Sequence, residues 1–361
     1  LFACKQEKKE LSESILVVPV DIKNLNKNEK LSSFIEDIKY ISLETRDSSL
    51  IIRSIDKVQI DGDKIFVLDT YLFRGVMVFD TSGKYLYHLQ AGGGAEGEFE
   101  HISDFDIDRK SKHLIIHSTP NLMYYSYSGK FLRKERLSFV ATNFCVNYPI
   151  KAFIGQEFDL IAVDSNHKKI LELFRKDSLH PLSFIQPLQA MNEKILYRHY
   201  LNDTIYAIKN NRLIPHVFID FGDKKIGKEE AKQIMKNKDR NFPSNKMGRI
   251  KYYFETNQYI YFAFLYNQVY HIVYYDKKSK KSILFKADDA ENNDITYESV
   301  MPRIVGTFED YFVAAVFIED VYLKKLVHSP FQINLSKSFS KKSVDKPENP
   351  NLILIKMKPI E

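Results

Sequence analysis

Four arginines stand at comparable places along this 361-residue chain. Arg53 (Ile52-Arg53-Ser54), Arg198 (Tyr197-Arg198-His199), Arg249 (Gly248-Arg249-Ile250) and Arg303 (Pro302-Arg303-Ile304) each precede or open a run of strand-forming residues. His101 occupies a similar place, with Asp104 just beyond it, and His199 follows Arg198 directly. Arginine presents a planar fork of N–H donors that matches a carboxylate, sulfate or phosphate. If the runs converge, these residues form a cationic grip on an anionic ligand. If they do not, the same residues are solvated side chains or partners of local Asp and Glu. The choice depends on the elements that carry them.

Other chemistries find little support. Gly92, Gly94 and Gly97 match the spacing G-x-G-x-x-G. A dinucleotide site needs a helix next, whose N-terminus holds the pyrophosphate. A strand pattern follows instead, and Glu96 and Glu98 would repel phosphate. Asp104-Phe105-Asp106-Ile107-Asp108 imitates the start of a calcium loop, but Arg109 stands where that loop needs its glycine, and no bidentate Glu follows at the required offset. Aspartates alternating with apolar residues read better as a strand with one polar face. His113 and His117 share a strand face, yet four residues of strand set them about 13 Å apart, too far to chelate one ion. Neither H-E-x-x-H, paired C-x-x-C nor G-x-S-x-G occurs.

The organising stretch is 55–137. Its first copy of a four-strand pattern reads Val58–Ile60, Lys64–Asp69, Val76–Asp80 and Lys84–Leu89, with turns at Asp61-Gly62-Asp63 and Thr81-Ser82-Gly83. Its second has Phe105–Asp108, His113–His117, Met123–Tyr127 and Lys130–Leu132. Gly83 aligns with Gly129 and Ile60 with Ile107, so the period is 46–47 residues (129 − 83 and 107 − 60). Short β-branched and aromatic runs broken by Gly and Asp are strands joined by tight turns. Four strands at such a period are the signature of a propeller blade. In that geometry the innermost strands line a central channel, and their starting ends, where the arginines and His101 fall, ring one mouth.

The run Phe79-Asp80, Gly83-Lys84, Leu86, then Gly92-Gly93-Gly94-Ala95-Glu96-Gly97-Glu98-Phe99 and Phe105–Asp108 resembles the NHL-type or TolB-like six-bladed β-propeller lipoproteins of Gram-negative bacteria. In that family a G-x-G-x-G-E-F loop links the outer strand of one blade to the inner strand of the next; here Ala95-Glu96 replaces the usual Gly-Pro. The resemblance implies a cell-envelope protein and assigns no activity.

Composition agrees with an all-β chain. Aromatics reach 13% with 26 Phe, 22 Tyr and no Trp, which suits strands packed face to face and argues against WD-type blades. The net charge of +6 is a weak pointer to an anionic partner. The basic pairs Lys277-Lys278, Lys280-Lys281 and Lys341-Lys342 lack the single-face clustering of a nucleic-acid site. Of the two cysteines, Cys145 sits in an apolar stretch and reads as buried. Leu1-Phe2-Ala3-Cys4 followed by a polar run resembles the end of a lipoprotein signal peptide, so Cys4 is expected to carry lipid. No run of 18 apolar residues occurs, so membrane attachment would be by acyl chains alone.

The expected fold is therefore all-β: a six-bladed β-propeller with four-stranded antiparallel blades and one short helical insertion. Residues 1–33 are expected to form the signal remnant, a tether and an edge segment, and 34–361 the propeller. A strand over 38–44 would complete the last blade by pairing with the C-terminal strand over 352–358. Blades three to six are expected over 139–187, 193–221, 250–285 and from 304 onward, with 336–350 a Lys/Ser/Pro-rich loop. The insertion falls at about 222–248, with a helix over 227–236. The expected function is a cell-envelope, outer-membrane lipoprotein that binds a protein or glycan ligand, of anionic character, at the channel mouth. The alternative is a metal-dependent hydrolase or lyase with calcium or zinc in the channel; otherwise no cofactor is expected.

Overall fold

The computed structural model describes residues 15–47, 50–175, 186–199, 202–236, 242–296, 300–316 and 349–361. Six antiparallel four-stranded sheets form the six blades of a propeller, and one of them gains a fifth strand. Cys4 and most of the 336–350 loop lie outside the described residues.

The alternation within strands explains why the blades stack. In Lys64–Asp69 of blade one, Ile65 and Val67 point into a core shared with blade six, beside Val305 and Val313. Phe66 and Leu68 point the other way, into a core shared with Phe105 and Ile107 of blade two. Successive strand side chains face opposite sides of a sheet, so a strand that is apolar at every position must be covered on both faces. Blade five repeats this with rings: Tyr259 and Tyr261 face blade six, while Ile260, Phe262 and Phe264 face blade four. Fully burying one such aromatic side chain stabilises the fold by about 1.5–3 kcal/mol.

The ring closes as the sequence predicts. Ile35–Ser42 pairs antiparallel with Asn351–Met357, from Ile35 opposite Met357 to Ser42 opposite Asn351. The outer strand of blade six thus comes from the N-terminal part of the chain and its other three strands from the C-terminal part. The edge segment is also present. Leu16–Pro19 lies parallel against the outer strand Arg212–Asp220 of blade four, and the chain then crosses blade five, where the N–H of Asn26 donates to the carbonyl of Leu284 at 2.8 Å. Residues 16–42 therefore cover exposed strand edges of three blades, edges that would otherwise template pairing with other chains.

The boundary between blades three and four differs from the expectation. Blade three spans Ala141–Arg175, and the inner strand of blade four is Leu188–Met191. Leu-Gln-Ala-Met is short and has no β-branched residue, so it carries little strand signal. Arg198 accordingly closes the second strand of blade four, Lys194–Arg198, rather than opening an inner one. The insertion after blade four holds a 3-10 turn, Gly222–Lys224, and a helix, Lys228–Lys236.

The aligned glycines share one job. Gly83 and Gly129 adopt φ of +88° and +82° in equivalent turns of blades one and two. A Cβ on Gly83 would stand 2.1 Å from the Ser42 carbonyl oxygen, and one on Gly129 would stand 2.8 Å from the ring of Tyr87. Each turn lies against the outer strand of the preceding blade, and only glycine fits both the dihedral and the gap. The loop Gly92–Phe99 is a blade-to-blade crossover, in which Gly97 alone of its four glycines takes positive φ, at +80°.

Candidate functional site: the propeller axis and its mouths

The inner strands run parallel around the axis. They start on what we term the top face, where the long connections between blades lie, and end on the bottom face in tight turns. Side chains next to the axis are mostly spent on joining blades.

Asp104 and Asp106, one strand repeat apart in blade two, reach the inner strand of blade three. An Asp104 oxygen accepts the Phe144 N–H at 3.0 Å, and an Asp106 oxygen accepts the Val146 N–H at 2.8 Å. Two carboxylates thus satisfy the edge N–H groups of the next sheet, which would otherwise be buried unpaired. Lys57 of blade one enters the same place. Its ammonium donates to Asp104 Oδ1 at 3.2 Å, to the Phe105 carbonyl at 2.7 Å and to the Phe144 carbonyl at 3.3 Å. Burial disfavours the Lys57 charge, but Asp104 and Asp106 outweigh it and hold the ammonium above its ordinary value. Burial also pushes Asp104 up, against the pull of Lys57 and of the Phe144 N–H. Cys145 is buried alongside, and burial together with Asp106 keeps its thiol well above its ordinary value, hence unreactive.

Glutamines do the same work opposite. Gln189 pairs with the backbone of Glu255 in both directions, donating to its carbonyl at 2.9 Å and accepting its N–H at 3.0 Å. Gln186 donates across the axis to the carbonyls of Asp56 and Val305. Below them Glu255 is buried in a polar knot: His216 Nε2 lies 3.0 Å from it, Lys277 Nζ 3.0 Å and the Tyr253 hydroxyl 2.5 Å. Burial works against its charge, but these partners prevail and hold the carboxyl down to about 2.

The residues singled out in the sequence separate into groups. The Arg303 guanidinium donates to the Ile55 carbonyl, two residues after Arg53. The Arg198 guanidinium donates to the Ile250 carbonyl, next to Arg249. The four arginines therefore fall two by two, at the junctions of blades six with one and four with five. Arg198 is only 3% exposed, and burial draws it down to about 10, still a cation at neutral pH. Arg53 is exposed on a fixed backbone, since its N–H and that of Ser54 donate to Asp69 Oδ2 at 2.8 and 3.1 Å. Arg249 is half-buried at φ +48°. Asp104, as described, is 4% exposed and lies in the wall rather than at the rim. His199 packs on Phe174, 4.6 Å between ring centroids, with Asp159 3.9 Å away.

His101 is exposed and lines a separate top-face cleft of about 520 Å³ between the glycine crossover and the outer half of blade two. Glu96, Glu98 and Glu100 share this cleft with Arg133 and Lys134, so its charge is mixed. Arg133 is tied to Glu135 at 2.9 Å.

Sequence reasoning passed over Lys57, Gln186, Gln189 and Glu255. Lys57 carried no usable signal: it opens the strand Lys57–Asp61 directly after Asp56, in a run of mixed polarity that reads as equally able to face solvent. Among the described residues no group of three or more His, Cys, Asp or Glu side chains is arranged to hold a metal, and no helix is long and apolar enough to cross a membrane.

The family described as a domain of unknown function, DUF4934, matches residues 15–356. No curated protein matches the chain. Among solved structures, a Bacteroides fragilis protein assigned as exported superposes with a TM-score of 0.74 at 16% identity, covering 96% of this chain and 100% of its own. At that identity the likeness concerns the fold. BamB from Moraxella catarrhalis (TM-score 0.39, 11% identity, 79% of this chain and 73% of its own) and a Bacteroides caccae protein (0.39, 11%, 62% and 78%) are more distant.

Proposed function

We propose, for a chain that belongs to the DUF4934 family, a role as a binding module of the cell envelope whose ligand docks on the top face of the propeller. The observation that carries this reading is the contrast around the axis. Buried polar groups join blades, whereas Arg53 offers an exposed guanidinium on a backbone locked to Asp69. The fixed backbone sets where the side chain starts, and its planar fork of N–H donors suits a carboxylate, sulfate or phosphate on a protein or glycan. Arg303 supports the same segment through the Ile55 carbonyl, and the separate His101 cleft opens on the same face. Long connections, where binding residues concentrate, also gather on this face.

The envelope location draws support from the lipoprotein-like stretch at Cys4, the NHL-type crossover loop and the exported relative of the same fold. A lipid at Cys4 would leave eleven residues, Lys5 to Ile15, before the first strand. Fully extended they span about 40 Å, enough to stand the body off a membrane surface. Mass spectrometry of the mature N-terminus tests the anchor: an unmodified Cys4 refutes it.

A channel metal enzyme is less favoured, because the Lys57 ammonium already stands against Asp104 where a cation would be held. The deciding experiment is a screen of sulfated and carboxylated glycans and acidic peptides against the wild type and the Arg53→Ala and His101→Ala variants. Ligands should be retained by the wild type and weakened about tenfold or more by Arg53→Ala. Binding that is indifferent to both substitutions overturns the top-face reading.

A further inference from the structure

The bottom mouth of the axis holds a second, smaller pocket that the reading above does not use. Three consecutive inner strands end there: Asp104–Asp108, Ala141–Asn147 and Leu188–Met191. Between their ends is a cavity of about 300 Å³, room for one six-membered ring. Its apolar surface is the half-buried Ala190 and Met191, with Val146 almost buried behind them, while the Ile107 side chain is turned into the core between blades one and two; its rim carries Arg109, Lys110 and Tyr148.

The rim is fixed rather than loose. Asn147 Nδ2 donates to the carbonyls of Asn192 and Lys194 at 2.8 and 2.9 Å, clamping the turn of blade three to that of blade four. Arg109 is held at one nitrogen by Gln59 Oε1 at 2.8 Å, which spends one of its five N–H donors. The Lys110 ammonium lies 3.8 Å from the centroid of the Tyr148 ring, and Tyr148 is itself 51% exposed. Asp108 is the opposing charge at the rim, and its Oδ1 is turned into its own turn by the N–H groups of Lys110 and Ser111 at 3.0 and 3.2 Å.

We propose that this pocket binds a ring carboxylate, that is, a six-membered ring with one apolar face and one carboxylate. The ring lies on the apolar surface beside Tyr148, and the carboxylate meets the Arg109 fork and the Lys110 ammonium. Aromatic side chains bind flat apolar faces, and a charge-assisted fork fixes the carboxylate direction. A uronic acid and an aromatic acid share this chemistry.

Met191 allows occupancy to be read at the site itself. With methionine methyl groups labelled in the full chain, D-glucuronate and benzoate are titrated by NMR, with glucose and benzamide as neutral counterparts. A ring carboxylate shifts the Met191 methyl signal, and its neutral counterpart binds about tenfold more weakly or not at all. Glucuronate alone identifies a sugar ligand, benzoate alone an aromatic one. Arg109→Ala and, independently, Lys110→Ala weaken the effect about tenfold; both residues are exposed in a turn, and the remaining methionine signals check that the fold is kept. Arg53→Ala, on the opposite face, leaves it unchanged. No shift of Met191 with either acid, equal binding of the neutral counterparts, or indifference to both bottom-face substitutions overturns the proposal.

Discussion

The ammonium of Lys57 lies 3.2 Å from a carboxylate oxygen of Asp104, with the two side chains only 7% and 5% exposed. One residue belongs to blade one and the other to blade two, and both also bond the backbone of blade three. A buried ion pair of this kind adds little net stability, but removing one partner strands the other. Lys57→Met should therefore cost about 3–5 kcal/mol in urea denaturation. The double variant Lys57→Met/Asp104→Asn should lose less than the sum of the single changes, by about 1 kcal/mol or more. Strict additivity would show that the pair does not join the blades.

Glu255 should govern the acid limb of stability. Its folded carboxyl is held down to about 2 from an ordinary value of 4.5. A depressed carboxyl contributes stability that is complete above its unfolded value and is lost as pH falls toward the folded one. The window is thus from about pH 5 down to about pH 2, and the contribution is on the order of 3 kcal/mol. Glu255→Gln should lower stability at pH 7 by that order and flatten the pH dependence across this window. Thermal melts of both proteins at pH 7, 5 and 3 provide the check; parallel curves would assign the acid sensitivity elsewhere.

The paired turn glycines should behave alike, and unlike Gly92. Gly83→Ala and Gly129→Ala each force a Cβ into positive φ and against the preceding blade. Each should cost at least about 2 kcal/mol. A Cβ on Gly92 meets nothing within 4 Å, so Gly92→Ala should stay within about 0.5 kcal/mol of wild type. Midpoints of denaturation at constant slope measure all three, and a tolerated Gly83→Ala would mean that the turn is not pressed on Ser42.

Much of the architecture was present in the chain as written. Gly83 and Gly129, 46 residues apart, mark equivalent turns because the dihedral each requires is a local property of the backbone. The unbroken apolar run Ile65-Phe66-Val67-Leu68 declares a strand covered on both faces by its period alone, and the alternating strand around Ile38 pairs with the C-terminal strand as expected. Local order, period and composition were enough for six blades and for the closing seam. They were not enough for Leu188–Met191, whose strand character comes from its neighbours in the sheet.

The axis was decided in three dimensions. Nothing in the alternation Asp104-Phe105-Asp106 distinguishes an aspartate that grips a ligand from one that receives the edge N–H groups of Phe144 and Val146, some forty residues away. Arg198 and Arg303 likewise resemble Arg53 in sequence, yet each bonds a carbonyl in the following blade, while Arg53 remains exposed. Strand identity follows from side chains a few residues apart. Whether a charge faces solvent or a buried carbonyl depends on which distant segment the closed ring brings against it, and only the tertiary structure sets that.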